Sequence, residues 1–228
     1  MTAKSADNRS RLGVLGGTFD PVHLGHLDSA RACSRAFELE QVLLLLSARP
    51  PHKDGKAQAS VEDRLRMLEI AAARDPVLRV CDLEARRPGP SYMSDTLAEL
   101  AGLYPETCLY LIVGVDAYRE VDSWHSPERL LERANLVVTS RPGSSWSGSA
   151  DRLQPPVAAQ RACCYDPAIN GYVHTSGHRL VGYDLAGVDV SASEVRRRAG
   201  SGEPLASLTG AGVADYIVGH NLYRNRPD

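Results

Sequence analysis

Gly13-Val14-Leu15-Gly16-Gly17-Thr18-Phe19-Asp20-Pro21-Val22-His23-Leu24-Gly25-His26 reads as a short apolar strand that breaks at two glycines and restarts as a helix carrying two imidazoles. A glycine pair lets backbone N–H groups approach an anion closely, and the helix N-terminus that follows adds unpaired donors and a positive dipole end. His23 and His26, three residues apart, fall on one face of that helix's first turn. Gly25 between them is expected to leave the backbone uncovered, so that a bulky ligand can rest against it. Either histidine alone would read as a cap or a solvated side chain. The combination of Gly-Gly, Phe-Asp-Pro and His-x-Gly-His points to phosphate chemistry.

The rest of the chain bounds that reading. A length of 228 residues with 43% hydrophobic content suits one large domain with its own core, expected over residues 11–228 after a disordered tail at residues 1–10. Lys and Arg number 26 against 28 Asp and Glu, a net charge of −2, so no global basic field points to nucleic acid or to an anionic membrane. The longest aliphatic run, Val42 to Leu46, is too short to span a bilayer, and the polar N-terminus has no apolar signal region. A cytoplasmic protein is expected, with no nucleic-acid or membrane partner; a homo-oligomer is compatible with the sequence. Cys33, Cys81, Cys108, Cys163 and Cys164 form no C-x-x-C, and read as reduced thiols. His174 and His178 imitate a metal pair at i, i+4, but Gly171 and Gly177 around them argue for a loop, so no metal site is expected.

Strands and helices alternate, which predicts an α/β fold: a Rossmann-like, doubly wound parallel sheet with helices on both faces and a small C-terminal helical part. Candidate strands are Leu12–Leu15, Gln41–Ser47, Leu78–Leu83, Thr107–Val113, Asn135–Thr139 and, more weakly, Arg179–Leu185. Leu24, Leu27 and Ala30 give one helical stripe, and Val61, Leu65, Leu68 and Ala72 another, opened by Ser60 with Asp63 at the capping-box position. Further helices are expected over Thr96–Leu103, from Pro127 behind a Ser126 cap, from the Ser191-Ala192-Ser193-Glu194 capping box, and over Val213–Val218. Ser145–Leu180 carries no functional signal.

In such sheets, ligands sit beyond the carboxyl ends of the strands where strand order reverses. Each candidate strand end carries residues that make little sense as core: Gly16–His26, Arg49–Lys53, Pro90–Met93, Gly114–Asp116 and Arg141–Gly143. A second phosphate element is Ser191 to Arg196, with hydroxyls and free N–H groups at a helix start and an Arg able to act as a forked donor. Arg197 and Arg198 read as a solvated face.

The opening run resembles the G-G-T/S-F-D-P-x-H-x-G-H motif of the nucleotidyltransferase superfamily. Within it, Pro50-Pro51-His52-Lys53, Gly89-Pro90-Ser91-Tyr92 with Asp95-Thr96-Leu97, Gly114-Val115-Asp116, Trp124 and Arg141-Pro142-Gly143 resemble, nearly end to end, segments of the nicotinate-nucleotide adenylyltransferase family. Arg196 occupies the position that the family's I-S-x-[ST]-x-[IV]-R motif reserves for a phosphate-binding Arg. Met93 departs from the pattern by standing where the family usually has Thr. The resemblance implies adenylyl transfer from ATP to nicotinic acid mononucleotide in NAD biosynthesis.

The chemistry asks little of a base, because a phosphomonoester with a second pKa near ~6 is already a nucleophile at neutral pH. Positioning and charge neutralisation remain. His23 and His26 are therefore expected as donors to the α-phosphate and the bridging or β-phosphate oxygens, with Arg196 as the third catalytic residue. Lys53 and Arg196 are expected on the β/γ-phosphates, with Ser191, Ser193 and the N–H groups of Gly16, Gly17, Thr18 and Phe19 completing the cradle. Gly114 and Asp116 are assigned to the nucleoside, Asp116 taking ribose hydroxyls. Ser91, Tyr92, Met93, His125 and Arg141 are assigned to the acceptor, and Trp124 to stacking on the pyridine ring, its alternative being a core position. Mg²⁺ is expected to enter on the triphosphate. Two other readings stay open: a sibling transferase acting on nicotinamide mononucleotide or phosphopantetheine, and a non-catalytic nucleotide-binding regulator.

Overall fold

A computed structural model describes residues 9–49, 57–143, 153–186 and 189–224. One eight-stranded sheet organises them, built from β1 (Ser10–Gly17), β2 (Gln41–Leu46), β3 (Leu78–Cys81), β4 (Thr107–Gly114), β5 (Asn135–Thr139), β6 (Cys163–Asp166), β7 (Gly171–His174) and β8 (Arg179–Tyr183). Their spatial order is β3-β2-β1-β4-β5-β8-β7-β6. The first six in that order run parallel, and β7 and β6 add an antiparallel end. Strand order reverses between β1 and β4, so a crevice opens where both end.

Alternation along the strands divides the core in two. Leu15, Val42, Leu44 and Leu46 face one layer with Leu27, Ala30, Met67 and Leu68, while Leu12, Val14, Leu43 and Leu45 face the other with Leu97, Leu100, Leu130 and Leu131. Leu44, Leu45 and Leu46 are all fully buried, each worth about 1.5–3 kcal/mol in burial. A strand covered on both faces has no polar side, which is why β2 reads as an unbroken aliphatic run.

The first layer holds α1 (Leu24–Phe37), α2 (Val61–Ala72) and a C-terminal group, α7 (Ala192–Ser201), α8 (Ala206–Thr209) and α9 (Ala211–Gly219); the second holds α4 (Met93–Leu103) and α6 (Glu128–Arg133). Short helices α3 (Leu83–Arg86) and α5 (Val115–Tyr118) follow β3 and β4 directly. The Ser60 cap is present, its hydroxyl accepting from the Asp63 N–H at 3.0 Å.

Four expectations shift. Ser10, assigned to the tail, pairs with Thr107 in β1. The third strand stops at Cys81, and Leu83 opens a helix instead. The helix after Pro127 starts one residue later than expected, because Ser126 takes a left-handed φ of 49° and Pro127 becomes the cap. The β6–β7 pair lies in the stretch that carried no signal. Gly171 reads as a breaker, yet it belongs to β7, where a Cβ would overlap the Leu180 carbonyl oxygen of β8.

Candidate active site

A cavity of about 730 Å³ occupies the switch point, lined by Gly16 to Asp20 from β1 and its loop, Leu111 to Gly114 from β4, and Ala192 and Arg196 from α7. That volume lies within the range of small-molecule sites. Ser91, Tyr92, Met93, Trp124 and His125 complete the lining, with Ser47, Ala57, Gln58, Glu84, Ala117 and Glu120.

The glycine pair ends β1, and the chain turns through Phe19 at a φ of 47° before α1 begins. His23 is the N-cap of α1, and His26 is three residues on. The His23 N–H donates to His26 Nδ1 at 3.3 Å, which leaves the His26 ring proton on Nε2. Their rings stack at 3.7 Å, and Phe19 meets His26 edge-on at 4.9 Å. Only His26 lines the cavity, whereas His23 is 6% exposed and its Nδ1 has no hydrogen-bond partner. Burial holds the His23 pKa down to about 4, so the ring is neutral at neutral pH. The expected pair of equivalent donors therefore becomes one cavity-facing ring supported by a buried one.

Contrary to the sequence reading, Gly25 does not leave its backbone open to a ligand. A Cβ there would lie 3.3 Å from the Val190 carbonyl oxygen and 3.2 Å from His23 Nδ1, so the chain itself covers this backbone. The glycine serves the approach of the segment before α7 to the start of α1.

At α7, Ser191 caps the helix by accepting from the Glu194 N–H at 3.2 Å. The Glu194 carboxylate instead binds Arg197 and Arg198, which together hold its pKa down to about 2. Arg196 points the other way: Nη1 donates to the Asp20 carbonyl at 2.6 Å, and Nη2 to Ser193 Oγ at 3.2 Å. Arg196 lines the cavity, while Arg197 and Arg198 turn to the Glu194 carboxylate. Ser191 and Ser193 stand at the helix start without lining the cavity.

Elsewhere in the lining, Tyr92 and His125 stack at 4.3 Å. Tyr92 is the N-cap of α4 and its side chain makes no capping bond, so the first-turn N–H groups that start at Met93 have no side-chain acceptor at the cap. The Met93 side chain reaches Gly16, where a Cβ would sit 2.6 Å from the Met93 methyl carbon. Ser91 is buried, its hydroxyl accepting from the Arg49 N–H at 3.2 Å while its own N–H donates to the Arg49 carbonyl at 3.0 Å.

Asp116 and Arg141 do not join the cavity wall. Arg141 Nε donates to Asp116 Oδ2 at 2.7 Å, Arg119 reaches Oδ1 at 3.3 Å, and all three side chains are exposed. Their geometry is that of a surface ion-pair cluster beside the ends of β4 and β5. Lys53 lies outside the described residues. Among the described residues, no group of three or more His, Cys, Asp or Glu side chains gathers as a metal site.

Two important polar residues escape sequence reading. Arg64, 2% exposed, donates from Nη1 to the Thr18 carbonyl at 2.8 Å and the Ser47 carbonyl at 2.9 Å, pinning the glycine loop to the end of β2. Burial lowers its pKa, opposed by the Asp20 charge. Its place within the Val61, Leu65, Leu68 stripe is the signal that could have found it. Asp20, 7% exposed, accepts from the N–H groups of Gln58 at 2.8 Å and Ala59 at 3.1 Å and from the Tyr223 hydroxyl at 2.8 Å.

This switch-point cavity between a strand that ends in two glycines and a helix-borne Arg is that of a nucleotidyltransferase fold, and the cytidylyltransferase-like family model matches residues 14–198. Within that class, the chain belongs to the nicotinate-nucleotide adenylyltransferase family. It is 38% identical over 213 residues to a probable nicotinate-nucleotide adenylyltransferase of Citrifermentans bemidjiense, covering 93% of this chain and 98% of the relative. The Symbiobacterium thermophilum counterpart is 36% identical over 214 residues, 94% of this chain and 95% of that protein. A solved Plasmodium falciparum nicotinic acid mononucleotide adenylyltransferase, complexed with NaAD, shares the fold with a TM-score of 0.69 at 17% identity, over 94% of this chain and 97% of that one.

Proposed function

We propose that this cavity transfers the adenylyl group of ATP to nicotinic acid mononucleotide, forming nicotinic acid adenine dinucleotide and pyrophosphate, a step of NAD biosynthesis carried by one domain that includes Ser10 of β1. The observation that carries the reading is the juxtaposition, in one cavity, of the glycine pair and Arg196 with the aromatic side chains of Tyr92, Trp124 and His125. The mononucleotide phosphate oxygen attacks the α-phosphorus, the bond to the bridging oxygen breaks, and pyrophosphate leaves with that electron pair. The phosphate dianion needs no strong base, so the protein supplies alignment and charge.

His26 donates from Nε2 to the α-phosphate or bridging oxygen, and neutral His23 fixes the ring through their stack and the backbone bond. Arg196, with Lys53, takes the β/γ-phosphates, and the N–H groups of Gly16 to Phe19 line the cradle. ATP is taken as its Mg²⁺ complex, with the ion held chiefly by phosphate oxygens and water. The first-turn N–H groups of α4 donate to a nicotinate carboxylate, and Trp124 stacks on the ring. Asp116 and Arg141 join only if their ion pair opens. Five free cysteines fit a reducing, cytoplasmic setting, and no helix among the described residues is long and apolar enough to cross a membrane.

The test is pyrophosphate release from Mg·ATP with nicotinic acid mononucleotide, nicotinamide mononucleotide and phosphopantetheine in parallel. Turnover is expected with the first, and more slowly with its amide. Dominant turnover on another acceptor makes the protein a sibling transferase, and ATP binding without turnover makes it a regulator.

A further inference from the structure

Asp20 is the point where four distant parts of the chain meet. Its carboxylate takes three hydrogen bonds, two from the backbone of Gln58 and Ala59 and one from the Tyr223 phenol, while its carbonyl oxygen takes Arg196 Nη1 at 2.6 Å. Tyr223 lies 203 residues from Asp20 in sequence and holds a left-handed φ of 61°. Its ring packs on the core layer that contains α7, and its carbonyl oxygen lies 3.4 Å from where a Cβ on Gly200 of that helix would stand. Burial, then the Asp20 charge, raises the phenol's pKa, so the hydroxyl stays a donor across the working range.

We propose that Tyr223 is a positioning residue for nucleotide binding: by holding the Asp20 side chain, it fixes the carbonyl against which the Arg196 guanidinium is set. The inference rests on the ATP reading of the cavity. An Arg held by one carbonyl and by Ser193 Oγ has its fork aimed before ligand arrives, which reduces the ordering cost on binding. Loss of the phenol leaves Asp20 with two donors, both from the backbone, and frees it to reorient. The loop that carries the Asp20 carbonyl then loses one of the three side-chain bonds that anchor it, so the guanidinium set against that carbonyl is held less firmly.

A double-mutant cycle tests this, using calorimetric titration of Mg·ATP without acceptor into wild type, Tyr223→Phe, Arg196→Ala and the double variant. Tyr223→Phe keeps the ring volume and should weaken ATP by roughly three- to tenfold, the net scale of one hydrogen bond. In the Arg196→Ala background the same change should cost less than about twofold, because the residue through which it acts is gone. Tyr216→Phe is the control for general loosening of the C-terminal region: it removes a comparable 2.9 Å bond, to Asp63, with no link to Arg196, and should leave ATP affinity within about twofold. Unchanged ATP affinity in Tyr223→Phe, equal losses in both backgrounds, or a Tyr216→Phe loss as large as that of Tyr223→Phe would each overturn the proposal. Wild type that binds no ATP overturns the reading of the cavity itself, so the two failures are told apart.

Discussion

Acidification from pH 7 to pH 5 should cost the folded protein about 2 kcal/mol through His23 alone. The ring is 6% exposed, its Nδ1 has no partner, and its pKa falls from the ordinary 6.5 to about 4 on burial. Between those two values the unfolded chain binds a proton that the folded chain refuses, so stability rises with pH across this window and is lost as pH falls. At pH 7 both states are mostly neutral and the penalty is a few tenths of a kcal/mol; at pH 5 the unfolded side chain is almost fully charged and the penalty nears ~2 kcal/mol. Below pH 4 the folded ring also protonates, and the full cost levels off at roughly 3 kcal/mol. Urea unfolding of wild type and His23→Gln at pH 7, 6 and 5 isolates the effect, since other groups that titrate there, including His178 with its pKa also lowered by burial, are common to both. The variant is expected to lose about 2 kcal/mol less than wild type over this range. Parallel pH profiles for the two proteins would refute a neutral, desolvated His23.

Three further outcomes follow from the same geometry. His26→Ala should lower kcat by roughly 10²–10³ with a small change in ATP affinity, as for loss of one transition-state donor; steady-state kinetics would show a pure KM effect if the ring only binds the ground state. Arg64→Ala should destabilise the fold by about 3 kcal/mol, because the Thr18 and Ser47 carbonyls lose a buried charged donor, and denaturant unfolding checks it. Met93→Thr should change the ratio of kcat/KM for the acid and amide mononucleotides by less than about tenfold, since main-chain N–H groups rather than the side chain read the carboxylate; a larger change makes the side chain the reader.

The parts legible in the sequence are those whose signal is local. Apolar runs such as Val42 to Leu46 state their structure within a few residues, and the N–H demand of a helix start makes Ser60 and Ser191 readable as caps, whereas the strand expected to break at Gly16-Gly17 runs through both glycines because their backbone still pairs with β2. Long-range partnership is not written locally. Asp20 meets a Tyr 203 residues away, and the Arg141 to Asp116 ion pair spans 25 residues, so residue type alone assigned both members of that pair to ligands. Arg64 was hidden for a different reason: on an apolar stripe, a cation contradicts the pattern unless the carbonyls that receive it are known. The β6–β7 hairpin was lost because its strands are four residues each, and Gly171 is required by close packing rather than by a turn.

The most direct measurement follows the label of [α-³²P]ATP incubated with Mg²⁺, nicotinic acid mononucleotide and the purified protein. The account predicts that the α-phosphorus appears in the dinucleotide while a γ-label appears only in pyrophosphate, and that His26→Ala slows both transfers together. Bound ATP with the α-label left unreacted, or moved into free AMP without dinucleotide, would contradict adenylyl transfer at this site.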